Sequence, residues 1–319
     1  MNKQTMRQIL ALTAAALLLI LPSCSEKSGS QEEPMTQQEF FDMLPSLAKN
    51  AVAVNHTKSA GTAVGQSKFG GSPDLPADFV WPTYYGMGAL DEEKATRPLS
   101  FMAQFNLAEV HPHDTDSLLP ASGMLYFFYD METMRWGYDP DDRGCCRVYY
   151  YEDTASLSRI TPPDDCRILP ERTLSFGSQV SFPCFTEIDQ EYRVAWESSG
   201  PWDAYDEAVR SLGGTVPESV GMSSRLLGYP ELIQSAIREE CELASTGTYT
   251  GGGFPKMSDE ERADLARRSE EWVLLFQMGS LLDEEDEIMF GDLGSIFFCI
   301  RKEDLAAGNF DNVWLILQC

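Results

Sequence analysis

Residues 101–110 read FMAQFNLAEV, and residues 274–283 read LLFQMGSLLD. Each is a run of strand-forming apolar residues carrying one glutamine, Gln104 or Gln277. Each is followed, after a polar loop, by a glycine-led aromatic strand: GMLYFFYD at 123–130 and GSIFFCIR at 294–301. The separation from glutamine to glycine is 19 residues in the first case and 17 in the second. Upstream, GSPDL at 71–75 has a fainter echo in GYPEL at 228–232. Composition alone makes short apolar strands look alike, but it does not fix the order of three elements. The expected fold is α+β: a mainly antiparallel sheet built from two similar α+β halves, an internal duplication, with peripheral helices. The first half covers about 55–165 and the second about 220–319.

Outward from these strands, RVYYYED at 147–153 adds another strand. Apolar residues at helical spacing from Met35 to Val54 predict a helix capped by Thr36 and interrupted at Pro45. Helices are also expected over 202–212 and over 258–272, where Ser258 and Glu261 form a capping box. The segment SKFGGSPDLPADFVWP, 67–82, has glycines for a tight turn and prolines for a stiff exit. It lacks the glycine spacing and positive surroundings of a phosphate loop, so it reads as a corner.

The N-terminus decides the compartment. Lys3 and Arg7 precede an apolar run from Ile9 to Leu21 that ends in Leu21-Pro22-Ser23-Cys24. This is the build of a secretory signal, and the run is shorter than the roughly 20 apolar residues of a bilayer span. The cysteine after a small residue marks a bacterial lipoprotein signal over 1–23, with Cys24 as the lipidated residue, 24–35 as a flexible tether and 36–319 as the folded body. Removing residues 1–23 leaves 22 Lys+Arg against 50 Asp+Glu, a net charge of −28. Such a chain repels polyanions, which excludes nucleic acid as a partner. The expected partners are a membrane, reached through the lipid, and an envelope protein or glycan.

Beyond Cys24 stand seven cysteines, an odd number, with no C-x-x-C pair to mark a zinc ribbon or thioredoxin-like site. Most are expected to be packing residues. The adjacent Cys145 and Cys146 are expected to point to opposite faces of a strand. The densest polar constellation is WGYDPDDRG, 136–144, where Asp139, Asp141 and Asp142 offer oxygen ligands to a hard cation such as Ca²⁺. The spacing is not that of a calcium-binding helix-loop-helix, and Asp, Pro and Gly also form solvated turns. A second acidic loop, DEEDEIMFGDLG at 283–294, contains Asp292 and is expected at the matching place in the second half. The HPHD run at 111–114 lacks a third metal ligand nearby. No Ser-His-Asp pattern, G-x-S-x-G elbow or Cys-His motif supports hydrolase chemistry. Trp81, Tyr84, Tyr85, Trp136 and Tyr138 lie in turn-like contexts, either as a recognition surface or as covers for the end of the core.

Taken together, SKFGGSPDLPADFVWP, PLSFMAQFNLAEV, LLPASGMLYFFYD, WGYDPDDRGCCRVYYYE, RLLGYPELIQ, MFGDLGSIFFCIRKEDL and FDNVWLILQC resemble the YwqG-like family, in its order and approximate spacing, from about Ser67 to Cys319. The resemblance implies a bacterial domain of unknown function with no assigned reaction or catalytic residue. The lipoprotein start departs from that pattern, as do FGDLG at 290–294 and QMGSL at 277–281. The expected function is that of a membrane-anchored, non-catalytic binding or interaction module without a cofactor. Its candidate surface holds Trp81, Trp136, Asp139, Asp141, Asp142 and Asp292. The alternatives are a metal-assisted hydrolase using Asp139 to Asp142 and a purely structural envelope protein.

Overall fold

A computed structural model describes residues 34–319, apart from 60, 89–92, 198, 218–220 and 284–286. The expected signal, Cys24 and the tether as far as residue 33 lie outside the described residues. The body begins with α1 (Gln37–Met43), followed by a 3-10 turn at Leu44–Leu47. Thr36 and Glu39 cap α1 reciprocally, each side chain bonding the other's backbone N–H. The expected helix to Val54 is corrected: it stops before Pro45, and Lys49–Lys58 is a strand, β1, with Ala51, Val52 and Val54 buried. Ring closure at Pro45 removes a helical donor, and the β-branched Val52 and Val54 favour the extended chain.

The chain continues through β2 (Lys68–Phe69), β3 (Asp74–Leu75), β4 (Thr83–Gly86), β5 (Ala95–Pro98), β6 (Ser100–Asn106), α2 (Leu107–Val110), β7 (Met124–Tyr129), β8 (Cys146–Tyr151), β9 (Ser158–Arg159) and β10 (Arg172–Ser181). Then follow α3 (Phe185–Tyr192), α4 (Pro201–Ser211), β11 (Arg225–Leu226), α5 (Arg238–Ser245), α6 (Asp259–Ser269), β12 (Trp272–Gly279), β13 (Ser295–Arg301), α7 (Lys302–Ala307) and β14 (Trp314–Gln318). The expected capping box at Ser258 and Glu261 opens α6.

Ten strands form one antiparallel sheet in the order β14-β13-β12-β11-β1-β10-β2-β6-β7-β8. At its centre β1 and β10 pair over their full lengths. On one side β1 joins β11, and on the other β10 joins β2. Strand alternation sends Ile296, Phe298 and Ile300 of β13 into the largest core, and Phe297 and Cys299 into a second core with α5. In the largest core Phe127 of β7 lies 4.8 Å from Phe276 of β12 and 5.0 Å from Phe298 of β13, measured between ring centroids. The outer strands of the two sides therefore share one aromatic interior. A third core joins Phe40 and Leu44 to Phe185, Tyr205 and Val209 of α3 and α4, so α1 is tied to the helices between β10 and β11.

Candidate functional site

The loop between β7 and β8 holds the carboxylates singled out in the sequence, and each turns to a partner of its own. Asp139 Oδ1 accepts from the Asp141 N–H at 2.9 Å, capping a short 3-10 turn. Asp141, with its side chain 75% exposed, pairs with Lys94 at 3.0 Å. Asp142 is only 7% exposed and accepts from the Gly137 N–H at 3.0 Å. Burial pushes its carboxyl up to about 6, against that hydrogen bond and the nearby Arg135. Among the described residues there is no group of three or more His, Cys, Asp or Glu side chains able to hold a metal ion.

The same loop is latched to β14. The Trp314 indole N–H donates to Gly137 O at 2.8 Å, and the Leu317 N–H donates to Trp136 O at 2.9 Å. Trp136 is 42% exposed, with the Tyr138 ring at 6.1 Å. Trp81 instead packs on Phe128 at 5.4 Å and donates its indole N–H to Leu99 O at 2.9 Å. Tyr84 is buried and Tyr85 exposed. Asp292 is exposed in the turn before β13. The acidic stretches at 136–144 and 283–294 do not occupy matching places: one lies between β7 and β8, the other between β12 and β13. Asp139, Asp141 and Asp142 each engage a separate partner and Trp81 packs on the core, so these side chains do not converge on a common ligand. Cys145 and Cys146 are both buried in the largest core, and because the strand begins only at Cys146, the expected alternation of the pair across one strand does not apply.

The glutamines that opened the reading are buried at the centre of two parallel sets of contacts. Gln104 sits opposite Lys68 in the β6–β2 register, and Gln277 sits opposite Arg225 in the β12–β11 register. Gln104 Oε1 accepts from the Asp74 N–H at 2.8 Å, as Gln277 Oε1 accepts from the Glu231 N–H at 2.8 Å. Gln104 Nε2 donates to Gln66 O at 2.8 Å and to Asp74 Oδ2 at 2.7 Å. Gln277 Nε2 donates to Ser223 O and Ser223 Oγ, both at 3.2 Å. Lys68 donates to Ser72 O and to Glu171 at 3.1 Å, while Arg225 donates to Tyr229 O at 3.3 Å and pairs with Glu231. Burial pulls the Lys68 ammonium below its ordinary value, with Asp74 and Glu171 opposing the shift.

A left-handed corner follows each cation, Gly70-Gly71 (φ +57° and +68°) between Lys68 and Asp74 and Leu227-Gly228 (φ +61° and +69°) between Arg225 and Glu231. A Cβ at Gly70 would come within 2.4 Å of Pro170 O, so glycine is required there. The expectation of a corner at 67–82 is met, and its polar groups are paired within the protein, Lys68 with Ser72 O and Glu171, and Asp74 with Gln104 and Arg159.

An open site lies beside the second corner. A cleft of about 300 Å³ is bounded by Lys49, Tyr229, Arg238, Glu270 and Lys302, with Trp272 and Val273 of β12 in its wall. Lys49 Nζ stands 4.0 Å from the centroid of the Tyr229 ring. Arg238 at the start of α5 reaches Glu187 at 3.5 Å, and Glu187 in turn accepts from the Cys184 N–H at 3.3 Å. Beneath the cleft the buried Glu242 accepts from the Trp272 indole at 3.0 Å and bridges Arg301 and Arg268, which fixes the Trp272 ring. Lys49, Arg238 and Lys302 come from β1, α5 and α7, a convergence that no local motif announces. The GYPEL echo at 228–232 is the one sequence signal that reached this site.

Among the described residues, no helix is long and apolar enough to cross a membrane. A family profile described as a domain of unknown function, DUF1963, matches residues 67–319. No curated protein matches the chain.

Proposed function

We propose that this chain, which belongs to the DUF1963 family of unknown-function domains, is a non-catalytic binding module that takes a small anionic ligand in the cleft beside Tyr229. The observation that carries this reading is the near balance of charge at the cleft. Its lining sets Lys49, Arg238 and Lys302 against Glu187 and Glu270, with Arg238 paired to Glu187 and Lys302 to Glu271, in a chain whose Asp+Glu outnumber its Lys+Arg by 50 to 24. A wall close to charge balance on an acidic molecule repels anions less than the surface around it. A volume of about 300 Å³ favours a small molecule over an envelope protein or a glycan chain.

The test is a thermal-shift titration with inorganic phosphate and with citrate. Either anion is expected to raise the melting temperature, since ligand at 100 times its Kd stabilises by about 2.7 kcal/mol. The double variant Lys49→Gln, Lys302→Gln is expected to abolish the rise. No rise with either anion, or an equal rise in the variant, rejects the cleft as the binding site.

Two further parts of the reading concern origin and place. The paired sets around Gln104 and Gln277 support an internal duplication in which the first strand of each half, β1 or β10, has crossed to the other half's sheet. The YwqG-like resemblance is compatible with the DUF1963 family and names the same body. The charged start, apolar run and Cys24 support a lipid anchor that holds the body on the envelope face of a bacterial membrane. Fatty-acid labelling of the full chain is expected to be lost in Cys24→Ala, with release of the protein from the membrane fraction. Equal labelling of the two chains would reject the anchor.

A further inference from the structure

The cleft beside Tyr229 presents charges of both signs, and they differ in how far the protein satisfies them. Arg238 and Glu187 meet at 3.5 Å, with the Glu187 side chain only 4% exposed, so that pair belongs to the wall itself. Lys302 reaches Glu271 at 4.0 Å, and the two side chains are 52% and 51% exposed. So long and wet a pair is weak, and the ammonium can exchange it for an acceptor on a ligand. Lys49 lays its ammonium over the Tyr229 ring. Glu270, the C-cap residue of α6, lines the same cleft from the acidic side. Among the described residues its carboxylate has no ion-pair or hydrogen-bond partner. The lining also includes Gly228, Pro230, Ile237, Val273 and Leu274, none of which offers a polar side chain. Recognition of a polar ligand by side chains therefore falls largely to the two lysines and Glu270.

A ligand of one sign meets a conflict in such a cleft. A simple anion at Lys49 and Lys302 shares the small space with the Glu270 carboxylate, and juxtaposed like charges weaken binding. A simple cation at Glu270 meets the two lysines in the same way. A molecule with both charges turns each conflict into a pairing. We propose that the cleft takes a zwitterion, a free amino acid or ω-amino acid, whose carboxylate accepts from Lys49 and Lys302 and whose ammonium donates to Glu270. The proposal rests on the anion-binding reading above and narrows it: the anionic group is a carboxylate, and a cation on the same molecule is part of what is recognised. A volume of about 300 Å³ suits a molecule of that size. The charge of the whole chain, −26, acts in the same direction. It repels a free anion on approach, whereas a zwitterion has no net charge to be repelled.

The test is isothermal titration of the full chain at pH 7 with three amino acids, glycine, 4-aminobutanoate and 6-aminohexanoate, which place the two charges at three separations. Each is paired with the carboxylate that lacks the amino group: acetate, butanoate or hexanoate. At least one amino acid is expected to bind ten times more tightly than its paired carboxylate. Glu270→Gln is expected to bring that ratio within twofold without weakening the plain carboxylate. The double variant Lys49→Gln, Lys302→Gln is expected to weaken both. Glu270 is exposed, so its variant should keep the fold, and circular dichroism verifies this. Equal binding within every pair, or an advantage that survives Glu270→Gln in the folded chain, overturns the zwitterion. If the plain carboxylates, phosphate or citrate still bind and the lysine variant loses them, the anion cleft stands without it. If none of these compounds binds, both readings fall together.

Discussion

Replacing Gln104 with leucine is expected to lower the melting temperature by on the order of 10 °C. The side chain is fully buried and holds the Asp74 N–H and the Gln66 carbonyl, both of which lose this partner in the variant. Each buried backbone group left unsatisfied costs about 1–3 kcal/mol. Leucine recovers some apolar transfer energy, so the net loss is on the order of 3 kcal/mol, and in a body of this size each kcal/mol moves the midpoint by about 2–4 °C. Gln277→Leu deprives the Glu231 N–H and the Ser223 carbonyl in the same way, so a fall of similar size is expected. Scanning calorimetry of the two single variants and the double variant checks this. The two sets share no partner, so their effects are expected to add. A fall below about 1 kcal/mol for Gln104→Leu would mean that the corner holds itself without the glutamine. A large fall for one glutamine and none for the other would remove the energetic support for two equivalent halves.

How these corners were and were not legible follows from how they are built. The runs around Gln104, Gly123, Gln277 and Gly294 are long and apolar, so their strands could be read directly, and β6, β7 and β13 lie where the residues placed them. The caps at Thr36 and Ser258 are local chemistry and were equally readable. Strands β2 and β11 are two residues long and each begins with a charged side chain that ends up buried, Lys68 or Arg225. Two residues show no periodicity, and a lone cation reads as surface; only the distant acid and glutamine make its burial tolerable. Strand β1 was hidden because its apolar positions also fit the spacing of the helix before it, and β10 because it alternates buried and exposed residues among glycine and serine. The acidic loops drew the functional reading because carboxylates close together in sequence look like a site. In the fold Asp139, Asp141 and Asp142 serve as a cap, a surface ion pair and a backbone acceptor. The cleft went unread for the opposite reason: Lys49, Arg238 and Lys302 are far apart in the chain and meet only through the sheet order.

Glu242→Leu is expected to be the most damaging substitution near the cleft. The carboxylate is buried and is the shared partner of Arg268, Arg301 and the Trp272 indole. Removing the acid from a buried pair costs about 3–5 kcal/mol. Arg268 and Arg301 remain 38% and 26% exposed, so water re-solvates part of their charge and the lower end of that range applies. The indole N–H loses its acceptor outright, and Trp272 is in the cleft wall, so anion binding should weaken along with stability. The pH dependence separates the charge from the packing. Burial alone would raise the Glu242 carboxyl, but the indole hydrogen bond, Arg301 and Arg268 together hold it below its ordinary value. A group whose folded value is depressed adds stability that is fully present above its unfolded value, about 4.3, and is lost as the pH falls through the lower folded value. Glu242→Gln keeps an acceptor for the indole while removing the charge. Its melting temperature is therefore expected to lie below that of the parent at pH 7, and the two curves are expected to converge as the pH falls below about 4. Melting curves from pH 7 to pH 3 decide the matter, and a constant gap across that range would assign Glu242 to shape and hydrogen bonding, with no stabilising part for its charge.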